Sequence, residues 1–317
     1  MMKLDAKILV LGHRGLIGSA LMRRLQHGGF GHVIGASRAE VDLEQASAVI
    51  GFMTDIAPDY VFLCAGKVGG IEQNQITPAD FIFSNIAIQA NVLKQAQAVG
   101  VKKLILFGSS CMYPRETVQP MPEAAILTGA PEPTSLPYAI SKLAGLQMCF
   151  ALNKQYRGQR FVPVIPNSVY GPHDNFDPAT GHVLSALIHK IHAAKTHGEP
   201  KVTIWGSGTP RREFIYADDV ADACIHLLQS GQSSEGPFNL GTGSDLSILE
   251  LAQMIAGMIG YHGEVVCDPS KPDGTPRKLL DSGRIRQLGW SPEVTLEQGL
   301  EQTYQWYLAH HHHGGRA

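Results

Sequence analysis

The sequence predicts an α/β fold, a doubly wound parallel sheet joined to a smaller α/β domain toward the C-terminus. Three observations predict it. Through residue 166, short β-branched runs alternate with longer segments of helical period. A glycine triplet, G-x-x-G-x-x-G, follows the first of those runs directly. After Gly171 the alternation gives way to a different pattern of amphipathic helices, turns and short strands.

Strands are expected at 8–11, 32–36, 60–64, 103–107 and 161–166, each apolar on both faces. Helices are expected at 19–26, 85–99 and 138–155. Strands buried on both faces and separated by helices imply a parallel sheet covered on both sides. Beyond Gly171, 182–194 is amphipathic and 201–210 is strand-like with a turn, while 238–240 reads as a strand returning to the first sheet. A helix at 248–259, a Pro/Gly/Lys-rich loop at 268–277 and a helix at 296–308 complete the chain. The division expected is therefore 1–170 with 215–242 for the sheet domain, 171–214 with 243–309 for the smaller domain, and a 310–317 tail. The tail opens with the run His310–His313, which is set aside from functional reasoning.

With 317 residues, 44% of them hydrophobic, the chain is long enough for one large or two ordinary cores. A formal net charge of -2 argues against nucleic-acid binding, which calls for a basic excess. No apolar run approaches the roughly 20 residues that span a bilayer, and no signal peptide is expected. Five cysteines, an odd number without metal-ligand spacing, point to a reduced, cytoplasmic protein that holds no metal.

The glycines Gly12, Gly15 and Gly18 stand where a first strand turns into a helix. Such a turn brings backbone close to a pyrophosphate and presents the unpaired N–H groups of a helix N-terminus to it. This makes the sheet domain Rossmann-type, with His13, Arg14, Leu16 and Ile17 in the same loop. At the end of the second strand a site for NAD usually offers an acid, and one for NADP an arginine. Here GASR places Arg38 there, and Arg14 lies within the turn, so NADP(H) is expected. Asp42 and Leu43 in the following VDL read as the edge of an adenine pocket.

Tyr138 and Lys142 are four residues apart, on one face of a helix. An ammonium beside a phenol is expected to lower its pKa and fit it for acid–base work. A Y-x-x-x-K pair arises easily by chance, and its position carries the weight. Ser109 follows the strand LILFG at the carboxyl edge of the sheet, where it can hydrogen-bond a carbonyl that Tyr138 protonates.

The segments GHRGLIGSA, AGKVGGI, GSSCMYP, EPTSLPYAISK, YGPHDNF, WGSGTPRREF and KPDGTPRKLLD together resemble the extended short-chain dehydrogenase/reductase family. The resemblance is strongest to members that epimerise and reduce GDP-4-keto-6-deoxy sugars. It implies that Cys111 and His182 act as base and acid in epimerisation. It implies cofactor contacts at Phe107, Gly108, Lys142, Pro166, Asn167, Ser168, Val169 and His182. It implies that the smaller domain binds a GDP-sugar substrate through Lys190, Trp205, Arg212, Asp273 and Lys278, and that the chain is a homodimer. Three positions depart from the pattern: Lys190 where arginine occurs, Ser141 where alanine is common, and His173 where asparagine is common. They leave open a reductase of a related GDP-keto sugar or heptose, with or without epimerisation. A non-catalytic NADP-binding sensor would be expected to lose Tyr138 or Lys142, and both are present.

Overall fold

The computed structural model describes residues 2–230, 236–271 and 273–311. Its centre is a six-stranded sheet assembled from β1 (Lys7–Leu11), β2 (His32–Ala36), β3 (Tyr60–Leu63), β4 (Lys103–Phe107), β5 (Phe161–Pro166) and, much later in the chain, β10 (Phe238–Leu240). Their order is β10-β5-β4-β3-β1-β2, and every pair is parallel.

Residues alternate sides along a strand, so a run apolar at every position needs cover on both faces. In β1, Ile8 and Val10 join a core with α1 (Leu16–His27) and α7 (Ala217–Gln229). Leu9 and Leu11 join the opposite core, with α2 (Ala46–Ile56), α4 (Pro78–Ala98) and α5 (Leu136–Gln155). Full burial of side chains such as Leu9 and Phe62 contributes roughly 1.5–3 kcal/mol each.

The short helix α3 (Ile71–Ile76) leads into α4, which begins at Pro78, not at Asn85 as the periodicity suggests. Asn85 is instead a brace inside the helix. Its amide donates to Phe81 O at 2.8 Å and Lys67 O at 2.9 Å, and its oxygen accepts from Lys67 N at 3.0 Å. That pins the AGKVGG loop after β3.

Past the sheet, β6 (Ser168–Tyr170) pairs with β9 (Phe214–Tyr216), and β7 (Lys201–Trp205) with β12 (Glu264–Asp268). The two-residue strands β8 (Arg211–Arg212), β11 (Leu246–Ser247) and β13 (Arg277–Lys278) form a third small sheet. A separate core joins α6 (Val183–His197), α8 (Ile248–Ile259) and α10 (Leu296–His311) through Leu187, Ile191, Ile255 and Leu300. The helix α9 (Gly283–Gln287) returns to the first core through Ile285.

The expected tail is corrected at its start. His310 and His311 form the last turn of α10, where they stack on Trp306 at 4.2 Å and Tyr307 at 4.8 Å. The remainder of the run, from residue 312, lies outside the described residues.

One position in the first turn tests the packing. A Cβ on Gly18 would stand 2.1 Å from the carbonyl oxygen of Gly12. Backbone cannot yield there as a side-chain tip would. Gly18→Ala is therefore expected to destabilise the fold by about 1–3 kcal/mol, read as a lower urea midpoint; an unchanged midpoint contradicts this packing.

Candidate active site

The chain leaves β1 toward β2 on one side and β3 toward β4 on the other, so a crevice opens at the carboxyl ends of β1 and β3. Gly12 makes the turn out of β1 with φ +86, a torsion that side chains rarely adopt. Gly15 differs from Gly18: a Cβ there would meet Gly12 O at an ordinary 3.6 Å. Internal packing does not demand that glycine, and its missing side chain leaves room for a ligand to approach closely. Gly15 is also the N-cap of α1, with no side-chain cap, and the first turn carries no acid. Its N–H groups are left for an anion. This cradle fits a dinucleotide pyrophosphate.

The ribose end is less simple than the sequence suggests. Arg14 and Arg38 line the crevice, but Arg38 is 78% exposed in its side chain and lies 3.2 Å from Glu44 and 3.9 Å from Asp42. Asp42 and Leu43 do not line the crevice. The Asp42 carboxylate accepts from the Glu44 N–H at 3.1 Å, and Leu43 packs on the core beneath. His13 is turned to β2, donating to Ala36 O at 3.1 Å, and so ties the glycine turn to the neighbouring strand.

All the other candidate residues line one cleft of about 990 Å³, running from the glycine turn to Trp205 and Asp273. At its centre a 3-10 turn, Ser110–Met112, follows β4, and Ser109 caps it by accepting from Cys111 N at 3.3 Å. Tyr138 lies near the start of α5, held edge-on against Phe81 at 6.1 Å. Lys142 is buried, and its Nζ donates to Phe107 O at 3.0 Å.

The electrostatics correct one expectation. Burial pushes the Tyr138 phenol well above its ordinary range, the sulfur of Cys111 adds to this, and the Ser109 hydroxyl only partly opposes it. Lys142 does not lower it. The ammonium stands 5.8 Å from the phenol ring centroid and is itself lowered from 10.5 to about 8 by burial, which Cys64 partly opposes. Tyr138 is thus held as the protonated phenol.

Cys111 behaves differently. Burial pushes its thiol up, but Lys278, Ser109 and Ser135 outweigh burial and leave it below its usual value. Lys278 Nζ donates to Cys111 Sγ at 3.5 Å, where a contact with the nucleotide-sugar was expected. His182 precedes α6 in extended conformation and faces the Asp174 carboxyl. Burial raises Asp174, His182 lowers it, and the Ser185 hydroxyl donates to it. Sequence reasoning passed over Asp174, although it stands in the same GPHDNF segment as His173.

At the far end Trp205 is 53% exposed, with Lys271 Nζ 5.4 Å above its ring. Asp273 accepts from Ser207 N at 3.0 Å and Ser207 Oγ at 2.8 Å. The half-buried Arg212 guanidinium donates to Arg211 O at 2.8 Å, and Lys190 Nζ to Thr203 O at 3.4 Å. Asn167 lines the cleft, yet its amide donates to Glu213 at 2.7 Å and Lys278 O at 3.1 Å.

A glycine-cradled crevice with a tyrosine acid, a serine donor and a lysine beside it defines a nucleotide-dependent enzyme of carbonyl chemistry. The chain belongs to the NAD dependent epimerase/dehydratase family, whose model matches residues 8–241. Within it, the chain is 48% identical to GDP-L-fucose synthase 1 of Arabidopsis thaliana, over 96% of this chain and 94% of that protein. It is 47% identical to GDP-L-fucose synthase of Escherichia coli K12, over 95% of this chain and 96% of that one. A GDP-mannoheptose C4 reductase from Campylobacter jejuni with NADP bound superposes with a TM-score of 0.88 at 36% identity, covering 97% of this chain and 99% of that one.

The buried lysine gives a pH test of this electrostatic picture. Its folded pKa lies below its unfolded one, so below about pH 8 the lysine stays charged in both states and the burial penalty is full, while between about 8 and 10.5 folding releases the proton. The penalty disappears as pH rises toward 10.5. Lys142→Met is expected to be more stable than the wild type at pH 7 by up to about 3 kcal/mol, with the difference shrinking across that window. Urea unfolding at pH 7 and pH 10 reads it; a constant difference contradicts the shift.

Proposed function

We propose that this chain is an NADPH-dependent 3,5-epimerase and 4-reductase that converts GDP-4-keto-6-deoxy-D-mannose to GDP-L-fucose. The observation that carries the reading is the convergence of Cys111 and His182 on the same cleft as Ser109, Tyr138 and Lys142. The synthases similar to this chain and the NADP-bound reductase support the substrate class and the cofactor.

NADPH supplies the hydride that reaches C4. The glycine turn and the N-terminus of α1 would hold its pyrophosphate, with Arg14 and Arg38 placed for the 2′-phosphate. A 2′-phosphate would compete with Glu44 for the Arg38 guanidinium. Lys142 would hold the nicotinamide ribose.

A ketone at C4 acidifies the C–H bonds at C3 and C5. The Cys111 thiolate takes such a proton and becomes the thiol, and the electron pair passes into an enolate. The enolate oxygen accepts hydrogen bonds from the Ser109 hydroxyl and the Tyr138 phenol. His182 gives a proton to the opposite face of the carbon, which inverts it. Tyr138 then gives its proton to the C4 oxygen during reduction. Trp205 offers a face for the base or sugar, and Arg212 a charge for the diphosphate. Lys190 and Asp273 stand along the same nucleotide-sugar path.

The similarity to a heptose C4 reductase supports a second reading, reduction without epimerisation. Incubation of enzyme, NADP⁺ and the keto-sugar in deuterated water separates them. Deuterium is expected at C3 and C5, and Cys111→Ser is expected to slow its entry at least about a hundredfold. No deuterium in the recovered keto-sugar removes the epimerase and leaves the reductase. Tyr138→Phe is expected to slow NADPH oxidation by about 10²–10⁴; an undiminished rate rules the phenol out as the proton donor.

The assembly we propose is a homodimer in the cytoplasm. Its support is the exposed apolar surface of the α4–α5 pair, where Phe83 is 74% exposed and Ile140 41%. All five cysteines are free, as a reducing compartment requires. No helix among the described residues is long and apolar enough to cross a membrane. Light scattering at micromolar concentration is expected to give the mass of two chains, and a single-chain mass refutes the dimer.

A further inference from the structure

We propose that the Lys278 ammonium, set against Cys111 Sγ, favours the thiolate there, and that Glu213 is the positioning residue that fixes Lys278 in place. This deepens the proposed reaction and rests on it for the use made of the thiolate.

Lys278 lies on β13, a strand of two residues that could not hold a side chain in register by itself. It is held from outside. The Lys278 carbonyl accepts from Glu213 N at 3.2 Å and from Asn167 Nδ2 at 3.1 Å. Next along the chain, Leu279 N donates to Gln119 Oε1 at 2.9 Å and Leu280 N donates to Glu213 Oε2 at 3.0 Å. The backbone carrying Lys278 is thus gripped by Glu213 twice, once by its N–H and once by its carboxylate. The ammonium is left facing Cys111 Sγ at 3.5 Å.

Glu213 itself is completely buried and does not line the cleft. Its carboxylate accepts from Gly243 N at 2.7 Å on one oxygen, and from Leu280 N and Asn167 Nδ2, the latter at 2.7 Å, on the other. Both oxygens are needed as acceptors. A carboxamide offers only one and turns an N–H toward an N–H. Burying a carboxyl is costly, and this one touches no cleft surface. What it secures is the junction of β9, the loop after β10 and β13, which is the junction that aims Lys278. In support, Lys278 is the first of the groups that pull the thiol down against its burial.

The test is the pH dependence of Cys111 alkylation by iodoacetamide, followed by peptide mass spectrometry on the intact wild-type chain and its variants. Wild-type Cys111 is expected to react with a midpoint below the ordinary thiol value of about 8.5. Lys278→Met is expected to raise the midpoint by at least about one unit, so that labelling at pH 7 slows about tenfold. Lys278→Arg, which keeps the charge, is expected to restore most of that loss. Glu213→Gln is expected to shift the midpoint in the same direction although it never touches the sulfur. Asn167→Leu removes one donor to the Lys278 carbonyl and carries the same test if Glu213→Gln does not fold. An unchanged midpoint in Lys278→Met overturns the role of Lys278. A wild-type midpoint in folded Glu213→Gln, or in Asn167→Leu where that stands in for it, overturns the role of Glu213. Alkylation needs no substrate, so a missing deuterium exchange sinks the proposed reaction alone and leaves this outcome readable.

Discussion

Strands β1 and β3 lie side by side, yet the chain leaves them in opposite directions. The loops that follow must part, and the gap between them offers backbone to a ligand. The glycine turn, the AGKVGG loop pinned by Asn85, and the Ser109–Cys111 turn after β4 all open on that gap. Because β10 returns to pair with β5, the chain that follows it brings the smaller domain over the same edge. The cleft therefore has one wall from the sheet domain and another from the smaller one. Glu213 and Asn167 stand where the two walls join.

Within the cleft, burial acts on neighbouring groups with opposite results. It holds Tyr138 protonated and makes Lys142 easier to deprotonate, because both charged forms lose water there. Cys111 escapes the same pressure because Lys278 and two serine hydroxyls surround its sulfur. One cleft thus holds a phenol and a thiol whose pKa values are displaced in opposite directions. The arrangement trades stability for chemistry, since a buried lysine is a folding penalty that only function explains.

The sheet was legible because its strands are mostly apolar on both faces and punctuated by glycine, and four of the expected spans coincide with strands residue for residue: β2, β4, β5 and β10. The glycine turn, Ser109, Tyr138 and Lys142 were legible because local spacing carries their geometry. Asp42 and Leu43 stand beside the crevice, where the Glu44 N–H donates to the Asp42 carboxylate and Leu43 packs on the core, and proximity to the end of β2 does not say which way such a turn points. The start of α4 was missed because Asn85, a poor helix former, is paid for by contacts to a loop 18 residues earlier. Asp174 and Glu213 were invisible for a related reason. Their partners are set by tertiary contacts, such as that between Glu213 and Leu280 across 67 residues, and no local period encodes these.

The most direct measurement is the isotope pattern of the product made in deuterated water with unlabelled NADPH. If thiolate, imidazole and phenol act in one cleft as described, the GDP-L-fucose carries deuterium at C3 and C5 and protium at C4. Protium at C3 and C5, or deuterium at C4, would contradict it.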